Sequence, residues 1–168
     1  SADDNSLTFT RLESALKVGG KYNGKTITAI YDGFETNLYA NSTQVPWSSY
    51  ADQIKCVKMN DWIKPKSTSY WFHSFRNCSD FNLSKLDTSE VTSMMRMFVC
   101  AGYDVEKFIL NIAKLDTSKV TDMSFMFYDA AFNSKEVNLN VSGLDTSKVT
   151  NMTYMFNRLG RSANTLYI

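Results

Sequence analysis

Histidine is almost missing from this chain. Its one copy, His73, lies in the aromatic stretch YWFHSF with no acidic or nucleophilic companion in view. That setting points to a partly buried structural residue. The three cysteines, Cys56, Cys78 and Cys100, form no CxxC pair and cannot all pair internally. An even disulfide framework is excluded and metal-ligand spacing is lacking, so they read as small buried apolar groups. No run of 18 or more apolar residues occurs, and no membrane-spanning helix is expected. Neither sign of charge is in excess: the net charge is +1, which gives no electrostatic reason to expect nucleic acid or an anionic membrane as partner. The opening SADDNSLTFT has no charged-then-apolar signal region; a cytosolic start and a processed mature end both fit it. Nucleophile–base constellations, metal motifs and phosphate loops are absent as well. The chain therefore reads as a non-enzyme, with no catalytic residue, metal or cofactor assigned.

What the chain does have is repetition. The phrase LDTSxVTxMxxMF occurs at Leu86–Phe98, Leu115–Phe127 and Leu144–Phe156, with nine of thirteen columns identical. Its period is constant, since 115 − 86 and 144 − 115 both give 29. A fixed period of about 20 to 50 residues marks a stacked-repeat protein, in which each unit is one coil and identical side chains pile into ladders. At 168 residues the chain is long enough for one domain with a sizeable core. Repetition builds a long surface, whereas a catalytic site needs different groups converging on one point.

Within each repeat the apolar columns stand at offsets 0, 3, 6 and 7, as in Val91, Met94, Met97 and Phe98. This is one stripe of a helix, and the preceding Asp-Thr-Ser supplies turn and N-cap oxygens. The pattern predicts a two-turn helix or a 3-10 segment over each MxxMF. A second extended strand is the alternative, because Val and Thr resist helix. Upstream, Phe108, Leu110, Ile112 and Val137, Leu139, Val141 alternate with polar residues, and Phe81 and Leu83 match them. Such alternation predicts short strands, centred on Asn82, Asn111 and Asn140, that stack side by side as one parallel sheet. The Met and Phe ladders are expected to be buried opposite that sheet.

An earlier, worn repeat has Trp71-Phe72 in place of Met-Phe, and 98 − 72 = 26 is three short of the period. Counting back in that register places Asp61 in the LDTS aspartate column and Val57 in the strand. Terminal repeats are commonly atypical. Residues 1–53 are assigned as an N-terminal segment and cap, with the first twenty-odd residues loosely held. KTITAIYDGF is a strand with Gly33 as its turn, and Trp47 of VPW plugs the end of the coil. Residues 54–168 are the repeat array. Ile168 falls inside a strand column, so the chain is expected to be a piece of a longer array, fraying there or associating end to end.

At these residues the sequence resembles the BspA-like leucine-rich-repeat surface proteins of bacteria, in the branch with LDTSxVTxMxxMF repeats. The resemblance covers about 54–168. It implies an α/β leucine-rich-repeat solenoid with a parallel sheet on one side and short helices on the other. It also implies an extracellular, cell-surface location and a role in adhesion, by binding a host or neighbouring-cell protein or glycan. The sequence departs from ordinary leucine-rich repeats in having methionine at leucine positions and no asparagine at the usual place after the strand.

The polar face of the strands is the candidate ligand surface: Asp80, Asn82, Asn111, Asn138, Asn140 and Tyr167. Its Asn column reads equally well as a self-satisfied amide ladder. The aspartate column Asp87, Asp116, Asp145 could line up as a cation ladder, but one carboxylate per coil fits a hydrogen-bonded turn better than a calcium roll. Two functions remain: a surface-displayed binding module, or a structural spacer displaying other domains. Exposed aromatic or apolar groups on the concave face favour the first; a uniformly small polar face favours the second.

Overall fold

The computed structural model describes residues 5–10, 21–22, 25–26 and 40–168. Among these residues chain order gives eight short strands: β1 Ser6–Phe9, β2 Lys21–Tyr22, β3 Lys25–Thr26, β4 Cys56–Met59, β5 Asp80–Phe81, β6 Lys107–Asn111, β7 Glu136–Asn140 and β8 Thr165–Tyr167. Among the described residues two 3-10 turns, Ser42–Gln44 and Ser48–Gln53, precede β4. Strands β1, β4 and β5 form one parallel sheet in that order, and β6, β7 and β8 form a second. β2 and β3 make a separate antiparallel pair.

The repeat period sets the second sheet. Phe108 pairs with Val137 and Leu110 with Leu139, each one full period on, and Val137 then pairs with Leu166. Along β6 the burial alternates exposed, buried, exposed, buried, exposed, as period-2 patterning requires. Strands at Asn111 and Asn140 are thus parallel and in register. The expected single sheet is interrupted before them. β5 ends at Phe81, one residue short of Asn82, and belongs to the first sheet. At the interruption the rings of Phe81 and Phe108 meet edge to face, 6.1 Å apart.

The MxxMF segments are not helices. Each is a pair of tandem β-turns closed by local bonds, Met97 N–H to Met94 O and Ala101 N–H to Phe98 O, with copies at Met123–Met126, Phe127–Ala130, Met152–Met155 and Phe156–Leu159. The third residue of each turn has positive φ, as in type II turns: Tyr70, Arg96, Phe125 and Tyr154 in one column, Ser74, Cys100, Asp129 and Arg158 in the next. The N–H groups between them reach the next coil. Met94, Arg96, Phe98 and Cys100 donate to the carbonyls of Asp122, Ser124, Met126 and Tyr128, and Met123, Phe125, Phe127 and Asp129 repeat the pattern one coil on. A helix would spend every N–H within its own coil and leave none to join neighbours. Alternating local and inter-coil bonds satisfies the backbone on this side and preserves the three-residue rhythm that resembles a helical stripe. The cost is left-handed backbone at non-glycine residues, about 1 kcal/mol each, and no β-branched residue occupies these columns.

Met94, Met97, Phe98, Met123, Met126 and Phe127 are fully buried, and Phe98, Phe127 and Phe156 stack nearly parallel, 5.5 Å apart. The ladder stops being buried in the third copy, where Met152 is 45% exposed and Phe156 41%. No coil among the described residues covers their outer side.

At the other end, Val57 pairs in parallel with Phe81 on one side and Leu7 on the other. Ser6–Phe9 is thus a sheet strand, which corrects the expectation that the first residues are loosely held. Phe9 stacks on Trp71 at 5.5 Å, and Trp47 meets both edge-on. The Trp47 indole donates to the Trp71 carbonyl at 2.6 Å. The apolar core is continuous from Leu7 through Trp47 and Val57 to Leu159. The expected register fails at Asp61. Ile63 pairs with Leu86 (86 − 63 = 23), whereas Thr92 N–H bonds Lys66 O (92 − 66 = 26). Three residues of the worn repeat are missing between Ile63 and Lys66, and Lys64 occupies the aspartate column. Asp61 instead accepts from Thr10 Oγ1 at 2.7 Å. Gly33 and most of KTITAIYDGF lie outside the described residues; only Lys25–Thr26 is seen, in β3.

Candidate ligand-binding face

The strands place the predicted polar residues on their outward side. Asp80, Asn82, Asn111 and Asn138 are exposed and Asn140 is half-buried. Pairing aligns them into rows. Asn111 stands opposite Asn140, and Ile109, Asn138 and Tyr167 form the adjoining row across β6, β7 and β8. Strands lie about 4.8 Å apart, so each row offers one side chain per coil at that spacing. Asp80 and Asn82 sit at and just beyond β5, in the other sheet, and do not join these rows.

The asparagines share one geometry. Asn82 Oδ1 accepts from the Ser84 N–H at 3.2 Å, Asn111 Oδ1 from the Ala113 N–H at 3.0 Å, and Asn140 Oδ1 from the Ser142 N–H at 3.1 Å. Ser84 and Ser142 add their hydroxyls to the same oxygens at 2.7 and 2.8 Å. Each amide therefore closes its own strand with an Asx turn, and its oxygen is already used. The Nδ2 hydrogens are what these three residues have left to present.

Apolar groups on the same face complete the surface. Ile109 is 48% exposed and Tyr167 62%, flanking Asn138 in one row. A hollow of about 390 Å³ opens between β7 and β8, lined by Asn138, Asn140, Ser142, Tyr167 and Ile168. Lys107 and Glu136 pair across the start of β6 and β7 at 2.6 Å. The period-2 pattern marks Ile109 as outward-facing. Its value as a site residue emerges only when register sets it beside Asn138 and Tyr167.

The aspartate column lies at the turn after the strands. Asp87, Asp116 and Asp145 each accept the N–H of the serine two residues on, at 3.0, 2.9 and 2.9 Å. These serine hydrogen bonds hold all three carboxyls below the usual aspartate value. Lys64 approaches Asp87 at 3.6 Å. The column thus has the geometry of hydrogen-bonded turns, and among the described residues no three His, Cys, Asp or Glu side chains cluster as metal ligands. His73 is half-buried with Nδ1 2.9 Å from Ser74 Oγ; burial, and then the nearby Arg96 charge, hold its pKa below the ordinary value. Cys56, Cys78 and Cys100 form no disulfide with one another. Burial pushes the pKa of Cys78 and of Cys100 up, against thiolate formation. No helix among the described residues is long and apolar enough to cross a membrane.

A family described as Mycoplasma protein of unknown function, DUF285, matches residues 66–166, more than half of the chain. The chain belongs to this family. The match begins at the worn repeat and runs through most of β8, so it spans all three copies of the repeat phrase. No curated protein and no solved structure matches the chain.

Proposed function

We propose that this chain is a bacterial cell-surface protein of the BspA-like leucine-rich-repeat kind, a non-catalytic module that binds a protein or glycan through the outer face of its sheet. On this reading residues 54–168 are a solenoid, the outer sheet face is its concave side, and residues 1–53 cap its N-terminal end. Support for the solenoid comes from the turn side. There the inter-coil bonds run from Thr68, Tyr70 and Phe72 through Met94 and Met123 without a break, even where the sheet ladder is interrupted. Trp47 and Phe9 over Trp71 support the cap.

The observation that carries the binding reading is the Ile109–Asn138–Tyr167 row. Exposed apolar and aromatic groups on an ordered, repeating face are what recognition surfaces use. The alternative is a spacer that displays other domains of a larger surface protein. It draws support from the asparagine oxygens, since amides occupied by their own turns need no ligand.

A glycan and matrix-protein array probed with the isolated chain tests the proposal. Asn138→Arg together with Tyr167→Ala should abolish any binding found, with the melting temperature within about 2 °C of the parent, because both side chains are exposed. Undiminished binding by this variant would move the site off the sheet face. A blank array would favour the spacer.

A further inference from the structure

We propose that the turn side of the coils carries a second, smaller site, centred on Arg96, for a sugar that bears a carboxylate of the uronic-acid class. It lies on the tandem turns and not on the sheet face assigned above to ligand binding. Arg96 sits between coils that this chain itself supplies, with Tyr70 before it and Phe125 after it in the same positive-φ column.

Among the described residues three arginines lie over aromatic rings, and two of these also hold a carboxylate. Arg76 stands 3.8 Å from the centre of the Tyr103 ring and pairs with Asp104 at 2.9 Å. Arg158 stands 5.9 Å from the Tyr128 ring and pairs with Asp129 at 2.8 Å. In both cases the acid is the residue that follows the ring in sequence. Arg96 lies 4.3 Å from the centre of the Phe125 ring, but the residue after Phe125 is Met126, fully buried in the core. Among the described residues no carboxylate pairs with Arg96 and no hydrogen bond occupies its guanidinium. A guanidinium seated on a ring keeps its N–H fork at the edge, and a carboxylate fills such a fork with two parallel bonds. The third member of the arrangement is therefore a carboxylate brought by a ligand. The neighbouring His73 adds no competing charge, because burial first, and then Arg96, disfavour its protonated form.

The flanking groups indicate what carries that carboxylate. Tyr70 is half-buried and tilted against His73, ring centres 5.8 Å apart; Tyr128 is half-buried and tilted against Phe125 at 5.6 Å. Their ring faces suit the C–H groups of a sugar, and the phenol hydroxyls suit its hydroxyls. His73 has Nε2 to offer as well, since Ser74 Oγ holds Nδ1 at 2.9 Å. Coils repeat at about 4.8 Å, so a sugar ring resting against Tyr70 sets a carboxylate on its edge beside Arg96. An acidic peptide fits less well. The N–H groups of Tyr70, Arg96 and Phe125 already bond the carbonyls of Met95, Ser124 and Thr153, which leaves no N–H row in this column for an added strand.

The test titrates methyl β-glucuronide into the intact, isotope-labelled chain and reads the Arg96 Nε–H and the Tyr70 and Phe125 ring resonances. Saturable shifts are expected there, with a Kd on the order of 1 mM, too weak for a washed array to retain. Methyl β-glucoside, which lacks the carboxylate, and acetate, which lacks the ring, should each bind at least about tenfold more weakly. Arg96→Gln should abolish the shifts at Tyr70 and Phe125. Arg96→Lys keeps the charge without the fork and should weaken binding about threefold or more. Both variants should keep the parent circular dichroism spectrum. Asn138→Arg with Tyr167→Ala should leave the titration unaltered, which separates this site from the sheet face. Glucoside binding as tightly as glucuronide, or acetate binding equally well, would overturn the proposal. So would undiminished binding by Arg96→Gln, or no shift at these groups up to about 20 mM glucuronide.

Discussion

Asp116 accepts both the N–H and the hydroxyl of Ser118 through one carboxylate oxygen, and its charge is held ionised by those donors. A carboxyl depressed in the folded state stabilises the fold fully above its unfolded value near ~3.9, and that contribution fades as pH falls through the folded value. With Asp87 and Asp145 shifted the same way, the melting temperature should hold from pH 7 to about 4.5 and fall below about 4. Asp116→Asn keeps an acceptor without the charge, so it should shallow this acid limb; a limb of unchanged steepness would mean the turns do not feel the ionisation. At Gly102 the constraint is steric. Its φ is +61°, and an added Cβ would lie 2.1 Å from the Phe108 ring; the same column holds Ala131 and Gly160, and a Cβ at Gly160 would meet the smaller Val137 and Leu166 side chains at 3.2 and 3.4 Å. Gly102→Ala should cost about 1–3 kcal/mol in urea unfolding. Phe108→Leu combined with it should cost less than the sum of the two single changes; strict additivity would refute the ring clash.

At the scale of elements, position in the stack decides what an identical residue contributes. Met123 is fully buried between coils, and Met152, in the same column, is 45% exposed. Met123→Ala should destabilise by about 2–5 kcal/mol and Met152→Ala by under about 1 kcal/mol, compared by equilibrium urea unfolding. Equal costs would mean that Met152 is covered in solution. The columns that enter this argument were legible from the sequence, because identity at a constant period fixes which residues lie above one another and alternation fixes the strand faces. The backbone of MxxMF was not legible. Apolar residues at 0, 3, 6 and 7 suit a helix and a pair of type II turns equally, and the usual marker of such turns, glycine at the third position, is replaced by Arg96, Cys100, Phe125 and Asp129. Asp61 went astray because the shortened spacing from Phe72 to Phe98 does not say where its three residues were lost. The polar face was legible residue by residue, but the row that joins Ile109, Asn138 and Tyr167 depends on strand register across three coils.

For the molecule as a whole, the first coil and the 144–168 coil meet their surroundings differently. Phe9, Trp47 and Trp71 form a three-ring cluster against the worn repeat, with Phe9 brought in by β1, a strand far in sequence from its partner β4. Phe9→Ala should cost about 3–5 kcal/mol and shift the tryptophan emission to longer wavelength as water reaches Trp47 and Trp71. An unshifted spectrum would show the cluster closed without Phe9. Among the described residues, the backbone bonds that join one coil to the next link positions separated by one period or somewhat less or more, from Ile63 with Lys85 to Gly160 with Ala130. The exception is the β1–β4 ladder, which pairs Ser6 with Cys56 and Phe9 with Met59. That distribution has a mechanical meaning. Among the described residues no long-range clasp crosses the repeats, so under a pull on its two ends the coils should peel off one at a time from the 168 end, each releasing a similar length of slack. The final rupture, at β1 against β4, would free a loop nearly twice as long and so leave a larger last step in a force–extension trace.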